Sequence, residues 1–462
     1  MMKSNRSPEQ WFFYLLFCLS LALGWYWQRE AVSFKSPEGA WSDKAGYYIY
    51  LPALFHFGFD THSMPPDLDI ATGGGFSIDT VAGKLDTKYT YGVALMLAPF
   101  FGMAEGIAAI AGFDHEDGFS MIHMRMMLIA AVVFLTLGMW FLYHFLRKYL
   151  STGVSMATLL IIFSGTNLLY YTLVEGMMSH IFSFFLFSLF LYLLQNLHGK
   201  GRAVDYLMPL TILILAVLLR PTNLILGLFL LFPFTGSAEK LSQRLHPFLK
   251  PSVLIPATLI TGILALPQLI YWKYLSGHWI HFSYRQEGFH NIFHPAVAEV
   301  LFSPVNGLFT YTPVVLFMLA GIVVMFRKKI PGRWTIPTIF VLVTLICASW
   351  SMWYFGCSYG QRSYIEYYAI LALPLGYLLA WLHQRRSILL KTGLIFVILF
   401  MIVANFLYIS NIYRHQRCWF GSTWDWERYR ISIVHAGIIP GQATIRSRSE
   451  EHTSELQSPN TI

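Results

Sequence analysis

The chain has 462 residues, 56% of them hydrophobic and only 12% charged, with a formal net charge of +8. That balance excludes an ordinary soluble globular protein. It also argues against a nucleic-acid surface, because the bases form no solvated stripe with interleaved aromatics.

A bilayer span needs about 20 apolar residues. Eleven runs approach that length: 11–27, 121–146, 154–172, 177–197, 206–219, 222–235, 252–274, 306–326, 334–353, 363–382 and 387–410. The expected fold is an all-α polytopic membrane protein with these eleven transmembrane helices and a large first outer loop containing juxtamembrane helices. The first run has the short basic start of a signal peptide. Trp25-Tyr26-Trp27 then stands where small cleavage-site residues belong, so the run reads as a retained span.

Half of the basic residues, 16 of 32, fall in six short segments between the runs, with only 3 of the 24 acids. They are Lys3 and Arg6; Arg147 and Lys148; Lys200 and Arg202; Lys240, Arg244 and Lys250; Arg327, Lys328, Lys329 and Arg333; and Arg385, Arg386 and Lys391. Short Lys/Arg-rich loops stay cytoplasmic. The N-terminus is therefore expected in the cytoplasm, with the other loops on the outer face. The corresponding location is a multi-pass protein of a bacterial inner membrane with its active site on the periplasmic side.

Residues 91–112 are long enough to span, but a span there would turn 14 of those 16 bases outward. Pro99, Glu105 and four glycines also interrupt the run. A juxtamembrane or re-entrant helix fits better, since irregular backbone at membrane depth survives where it lines a protein cavity. Residues 28–120 then form one external loop, with an amphipathic helix near 43–57 and a turn at Gly73-Gly74-Gly75. A loop of that length is usually functional.

Candidate site residues follow in chain order. Asp43, in Trp41-Ser42-Asp43-Lys44-Ala45-Gly46-Tyr47-Tyr48, suits a helix N-cap, as Ser42 does. It also suits a general base facing a membrane-embedded substrate. Lys88, beside Tyr89, either snorkels or holds a phosphate as a point charge. Glu175 and His180 flank an outer turn and read equally as a capped turn or as site residues. Arg220-Pro221 divides a long apolar run into two short halves, so their junction is expected to lie recessed below the outer surface. An arginine there faces a partner carboxylate or a cavity, and an anion site is the more attractive reading.

The loop 275–305 carries His278, His281, His290 and His294, with Arg285 and Glu287. Spacings of three and four could bind metal on a helix. No metal is assigned, and a divalent ion is not favoured. In Gly356-Cys357-Ser358-Tyr359-Gly360-Gln361-Arg362 the glycine spacing suits a backbone nest with Arg362 aimed at a phosphate. An interfacial aromatic belt explains the neighbouring tryptophans without any site. Cys357 and Cys418 fall on the outer side, where an oxidising compartment could pair them.

The Asp-x-x-x-Tyr-Tyr start of the first outer loop, the Lys88-Tyr89 segment, the Arg220-Pro221 break and the Trp/Gly/Ser/Arg outer loop resemble GT-C membrane glycosyltransferases. The nearest branch is the protein-mannosyltransferase and aminoarabinose-transferase type. The resemblance covers residues 10–430 approximately. It implies a polyprenyl- or dolichyl-phosphate sugar donor and a catalytic Asp in the first external loop, here Asp43. Many relatives place a second acid beside that Asp; this chain has Lys44, which favours one carboxylate acting alone.

The expected activity is sugar transfer from a polyprenyl-phosphate donor to a lipid, glycan or protein acceptor, among membrane lipids as the surroundings. Lys88, Arg220, Arg285 and Arg362 would bind the donor phosphate; Tyr47, Tyr48, Tyr89, Glu175, His180, His281 and Ser358 complete the candidate set. The alternatives are a lipid-linked-sugar flippase or other transporter, and a non-catalytic assembly partner. Residues 1–430 form the expected transferase domain and 431–445 an outer segment. Residues 446–462, with Arg448-Ser449-Glu450-Glu451-His452-Thr453-Ser454-Glu455-Leu456-Gln457-Ser458, resemble a translated sequencing adapter and are set aside.

Overall fold

The computed structural model describes residues 7–28, 39–112, 117–197, 201–232, 241–284, 287–356, 358–413 and 424–438. Helix α1 (Pro8–Trp27) begins with Pro8 in its first turn and the Ser7 amide donating to Gln10 Oε1 at 3.0 Å. Short helices α2 (Asp43–Tyr48), α3 (Tyr50–Phe55) and α4 (Leu68–Ala71) follow. Strands β1 (Ser77–Asp79) and β2 (Lys84–Asp86) form an antiparallel ribbon with Ile78 opposite Leu85.

Helices α5 (Gly92–Ala111), α6 (Met121–Arg147), α7 (Thr152–Gly165), α8 (Leu168–Leu173), α9 (Ser179–Gln195) and α10 (Ala203–Leu219) come next. After a 3-10 helix at Pro221–Gly227 come α11 (Leu228–Leu231), α12 (Leu241–Leu249), α13 (Pro251–Ser276), α14 (Val297–Phe302) and α15 (Leu308–Tyr311). The series closes with α16 (Val315–Arg327), α17 (Thr335–Ser349), α18 (Tyr368–His383), α19 (Ile388–Tyr408) and α20 (Trp426–His435).

All eleven predicted runs carry helix. Five helices are long and apolar enough to cross a membrane: α1, α5, α6, α13 and α19. The other runs carry helices of 10–17 residues. One of these is not α-helical along most of its length. Arg220 is extended and Pro221 lacks an amide, so the chain restarts as the 3-10 helix. Helix α6 is central, with 61% of its apolar window inside the protein; the values for α13 and α19 are 17% and 22%. Leu259, Ile263 and Ile270 on α13, and Phe396, Leu399 and Val403 on α19, stay exposed. Apolar faces of that extent suit lipid rather than water.

The amphipathic helix expected near 43–57 is two helices, broken at Ile49; its first part is buried, while Leu54 and Phe55 at the end of α3 are exposed. Lys44, Ala45, Gly46, Tyr47 and Tyr48 are all buried. The 72–91 segment covers them: Ser42 donates its amide to Thr72 O at 2.7 Å, and Thr87 Oγ1 donates to Gly46 O at 2.9 Å. A Cβ on Gly75 would fall 1.8 Å from Ser42 O, so only glycine permits this approach.

Helix α5 is continuous through Pro99 and its glycines. The arm before it packs on α13 and the helix itself packs on α6. The arm before it follows α13 inward. Lys84 Nζ donates to Leu275 O at 2.8 Å, Tyr271 hydrogen-bonds Leu85 O and the Thr87 amide, and the Tyr91 amide donates to Gln268 Oε1 at 3.0 Å. Tyr91 Oη reaches Leu264 O at 2.7 Å. From Leu275 to Leu264 is roughly 16 Å at about 1.5 Å per residue. Thr90 then meets Leu218 O at the α10 break. Helix α5 runs along α6 until Glu105 reaches His123, one turn inside the start of α6.

The described part of the 431–445 segment is not separate from the bundle. Helix α20 runs through position 430, and Tyr408 and Ser432 hydroxyls meet at 2.7 Å. Residues 439–462, Arg285, Cys357 and Cys418 lie outside the described residues, and with them the disulfide and adapter readings.

Helices α16 and α18 touch backbone to backbone at Gly321, where an added Cβ would sit 1.9 Å from Pro374 O. Gly393 on α19 has open space around it. Gly321→Ala should lower the thermal midpoint of purified protein by the equivalent of about 1–3 kcal/mol. Gly393→Ala should leave it unchanged or raise it, because alanine is the better helix former.

Candidate active site

The break after α10, the arm before α5, the loop after α13 and the end of α17 with the loop that follows it enclose a cavity of about 250 Å³. Lys88, Arg220 and Arg362 line it, with Tyr47, Tyr89, Tyr284 and Trp350. Val343, Ile346, Cys347 and Trp350 recur at helical spacing through the end of α17 and form an apolar wall. Among the described residues, Glu287 is the acid in the lining.

Each described cation has a carboxylate. Arg362 donates from Nη2 to Asp43 Oδ2 at 2.6 Å, Lys88 Nζ lies 2.9 Å from Glu287 Oε1, and Arg220 Nη1 lies 2.7 Å from Glu366 Oε1. These carboxylates also separate the roles of the expected residues. Asp43 is in the first turn of α2 and is not its cap; it stands behind Arg362, beside the cavity rather than in its wall. Lys88 does not snorkel: besides Glu287 it has the Tyr89 and Tyr284 rings within 5.5 and 5.7 Å.

Arg220 has the partner carboxylate that one reading of its position called for. It pairs with the buried Glu366, and it also lines the cavity. His180 Nδ1 lies 3.1 Å from Glu366 Oε2 and 3.0 Å from Arg220 Nη1, so one carboxylate holds two cavity residues. Glu366 was not among the expected residues. Its signal was available: it is the one acid between Glu299 and Asp425, at the edge of an apolar run.

Tyr47 and Tyr89 stack at 4.0 Å between ring centroids and both face the cavity. Tyr47 Oη also meets Ser179 Oγ at 3.2 Å, tying α2 to the start of α9. Four expected residues stand apart from the cavity. Tyr48 turns away, donating to Gly118 O at 2.6 Å among Phe101 and Phe119. Glu175 pairs with buried Lys44 at 3.4 Å and holds α2 against the turn before α9.

Ser358 is the third. It hydrogen-bonds Tyr171 and donates to Gly360 O at 2.7 Å, while the Tyr359 amide donates to Tyr171 Oη. The Ser358 hydroxyl and the Tyr359 amide are thus committed to Tyr171 on α8 and to Gly360 O. His281 is the fourth: its stretch is bend and coil, not helix, and the three- and four-residue His spacings therefore share no helical face. No group of three or more His, Cys, Asp or Glu among the described residues is arranged to hold a metal.

Burial pushes the Asp43 carboxyl up, but the Arg362 guanidinium and then Lys88 outweigh it and hold it below its ordinary value. Asp43 is thus ionised at neutral pH and can accept a proton. Burial also opposes the charge on Arg362, and Asp43 more than restores it. Glu175 goes the other way: burial raises its carboxyl, and Lys44 only partly offsets this.

The sequence matches no protein-family model, no curated protein and no solved structure.

Two outcomes follow from these pairs. The folded Asp43 pKa lies below its unfolded value, so its contribution to stability is complete above the ordinary aspartate range. That contribution is lost as pH falls through the lowered value. The difference in thermal midpoint between the natural protein and Asp43→Asn should stay constant from about pH 8 to about pH 5. It should close only below the ordinary value of 3.8. Glu366→Gln leaves Arg220 without its carboxylate and should destabilise by about 3 kcal/mol in a denaturation series. Adding Arg220→Gln should recover part of that loss.

Proposed function

We propose that the protein is a GT-C-type glycosyltransferase that moves a sugar from a polyprenyl-phosphate donor to an acceptor hydroxyl. The eleven helical runs all cross the membrane in this reading. The basic ends of α6, α16 and α18 face the cytoplasm, and the cavity faces the periplasm of a bacterial inner membrane. The observation that carries the reading is the ionised Asp43 bound to Arg362 at a cavity whose wall also holds Lys88 and Arg220.

The donor phosphate binds Arg220, Arg362 and Lys88, and the prenyl chain follows the apolar wall of α17. Phosphate binding draws Arg362 into the cavity and frees the Asp43 carboxylate. Asp43 takes the proton of the acceptor hydroxyl as its oxygen forms a bond to the anomeric carbon. The bond from that carbon to the phosphate oxygen breaks, and polyprenyl phosphate leaves with the electron pair. The anomeric carbon is inverted in this single displacement. The cations stabilise charge developing on the leaving phosphate, which inside an apolar bundle is worth more than in water. Holding donor and acceptor in line supplies much of the remainder.

A transporter would bind its substrate near the middle of the bundle between structural repeats. Here the paired charges gather at one end, which favours surface chemistry over passage.

Transfer of radiolabelled sugar from polyprenyl-phosphate donors should fall by roughly 10²–10⁴ in membranes carrying Asp43→Asn at matched protein level. Arg362→Lys keeps a charge but loses the planar fork, and should weaken donor binding as well as turnover. Undiminished transfer by Asp43→Asn would remove Asp43 as the base.

A further inference from the structure

The opposite end of the bundle holds a second cavity that the proposed reaction does not use. It is about 410 Å³ and lies between the C-terminal ends of α16 and α18. Val324, Arg327, Lys328, Trp381, Gln384 and Arg385 line it. The Arg385 guanidinium lies 4.1 Å from the centroid of the Trp381 ring, which holds the cation beside an apolar surface.

Arg327, Lys328 and Arg385 are exposed, and none forms an ion pair with a carboxylate among the described residues. The sequence explains why. Between Glu299 and Asp425 the one acid is Glu366, and it is committed to Arg220 and His180 at the far end of the bundle. Topology alone requires bases somewhere on this side. It does not require three of them, from two helix ends 58 residues apart (Arg327 and Arg385), to share one cavity with a tryptophan. The contrast with the first cavity is direct: there every described cation in the wall has its own carboxylate, and here none does.

We propose that this cavity binds the phosphodiester headgroup of an anionic membrane lipid. Basic pockets between helices at a membrane surface recognise such groups by charge. The three cations receive the phosphate, Gln384 supplies a neutral hydrogen-bonding group, and Trp381 and Val324 meet the start of the acyl region. The apolar flanks of the bundle leave the chains in the bilayer. The same anion chemistry could come from free phosphate, and the test separates the two.

The experiment uses the full chain in detergent and measures binding of radiolabelled short-chain phosphatidylglycerol by equilibrium dialysis. Phosphatidylcholine of equal chain length and inorganic phosphate serve as competitors. Arg327→Gln/Lys328→Gln/Arg385→Gln should weaken binding at least about tenfold, and Arg385→Gln alone about threefold. The single variant keeps the test decisive if the triple variant does not purify as one species. Lys329→Gln/Arg333→Gln/Arg386→Gln removes the same charge from outside the lining and should leave binding within about twofold. Equal loss in both triple variants would reduce the effect to diffuse charge and overturn the site. So would no loss in the lining variants, or equal competition by phosphatidylcholine. Competition by inorganic phosphate at the same concentration as the lipid would assign the cavity to soluble phosphate and overturn the lipid source.

Discussion

An ionised side chain drawn among apolar helices loses its hydration, and in real proteins that loss is several kcal/mol per ion unless a partner restores it. Asp43 with Arg362, Lys88 with Glu287, and Glu366 with Arg220 and His180 meet this constraint at one end of the bundle. Each pair joins elements distant in sequence: α2 to the loop before α18, the α5 arm to the loop after α13, and the α10 break to the loop before α18. The cavity exists because these pairs hold its walls while their outer atoms stay open to it. A ligand phosphate would compete with the carboxylates rather than fill a vacancy, so affinity and selectivity would both depend on how readily each pair yields.

The helices were legible in the sequence because apolar run length is a direct physical requirement of a bilayer. All eleven runs became helix, and Pro221 marked a real interruption. The helical nature of residues 91–112 was legible as well. Its continuity was not, because Pro99 and three glycines are tolerated once α6 supports one side of the helix. The burial of the first part of the 43–57 helix was not legible. That part lies beneath the 72–91 segment, a contact that periodicity cannot reveal.

The site was legible in residue types and less so in roles. Asp43, Lys88, Arg220 and Arg362 do come together, and Tyr47, Tyr89 and His180 accompany them. Tyr48, Glu175 and Ser358 proved to be supports, each spending its polar atoms on a neighbouring backbone or side chain. The partners Glu287 and Glu366 went unassigned because counting cations at a face says nothing about which acids fold back onto them. A carboxylate one helical turn beyond Arg362 sits in the same short segment, yet it serves a different arginine.

The packing of the β2 arm and α5 also bears on how the chain is made. Thr87 hydrogen-bonds Tyr271 across 184 residues. Ribosomes add about 5–20 residues per second, so the arm emerges on the order of 10–40 s before the helix that receives it. Throughout that interval the 20-residue α5 segment, apolar and long enough to cross a membrane, lacks the helix that its preceding arm will pack against. Glu105, with His56 at 2.8 Å and His123 at 2.7 Å, ties the far end of α5 to segments close to it in sequence. The order of synthesis thus leaves one end of α5 with its partners nearby while the arm at its other end waits for α13.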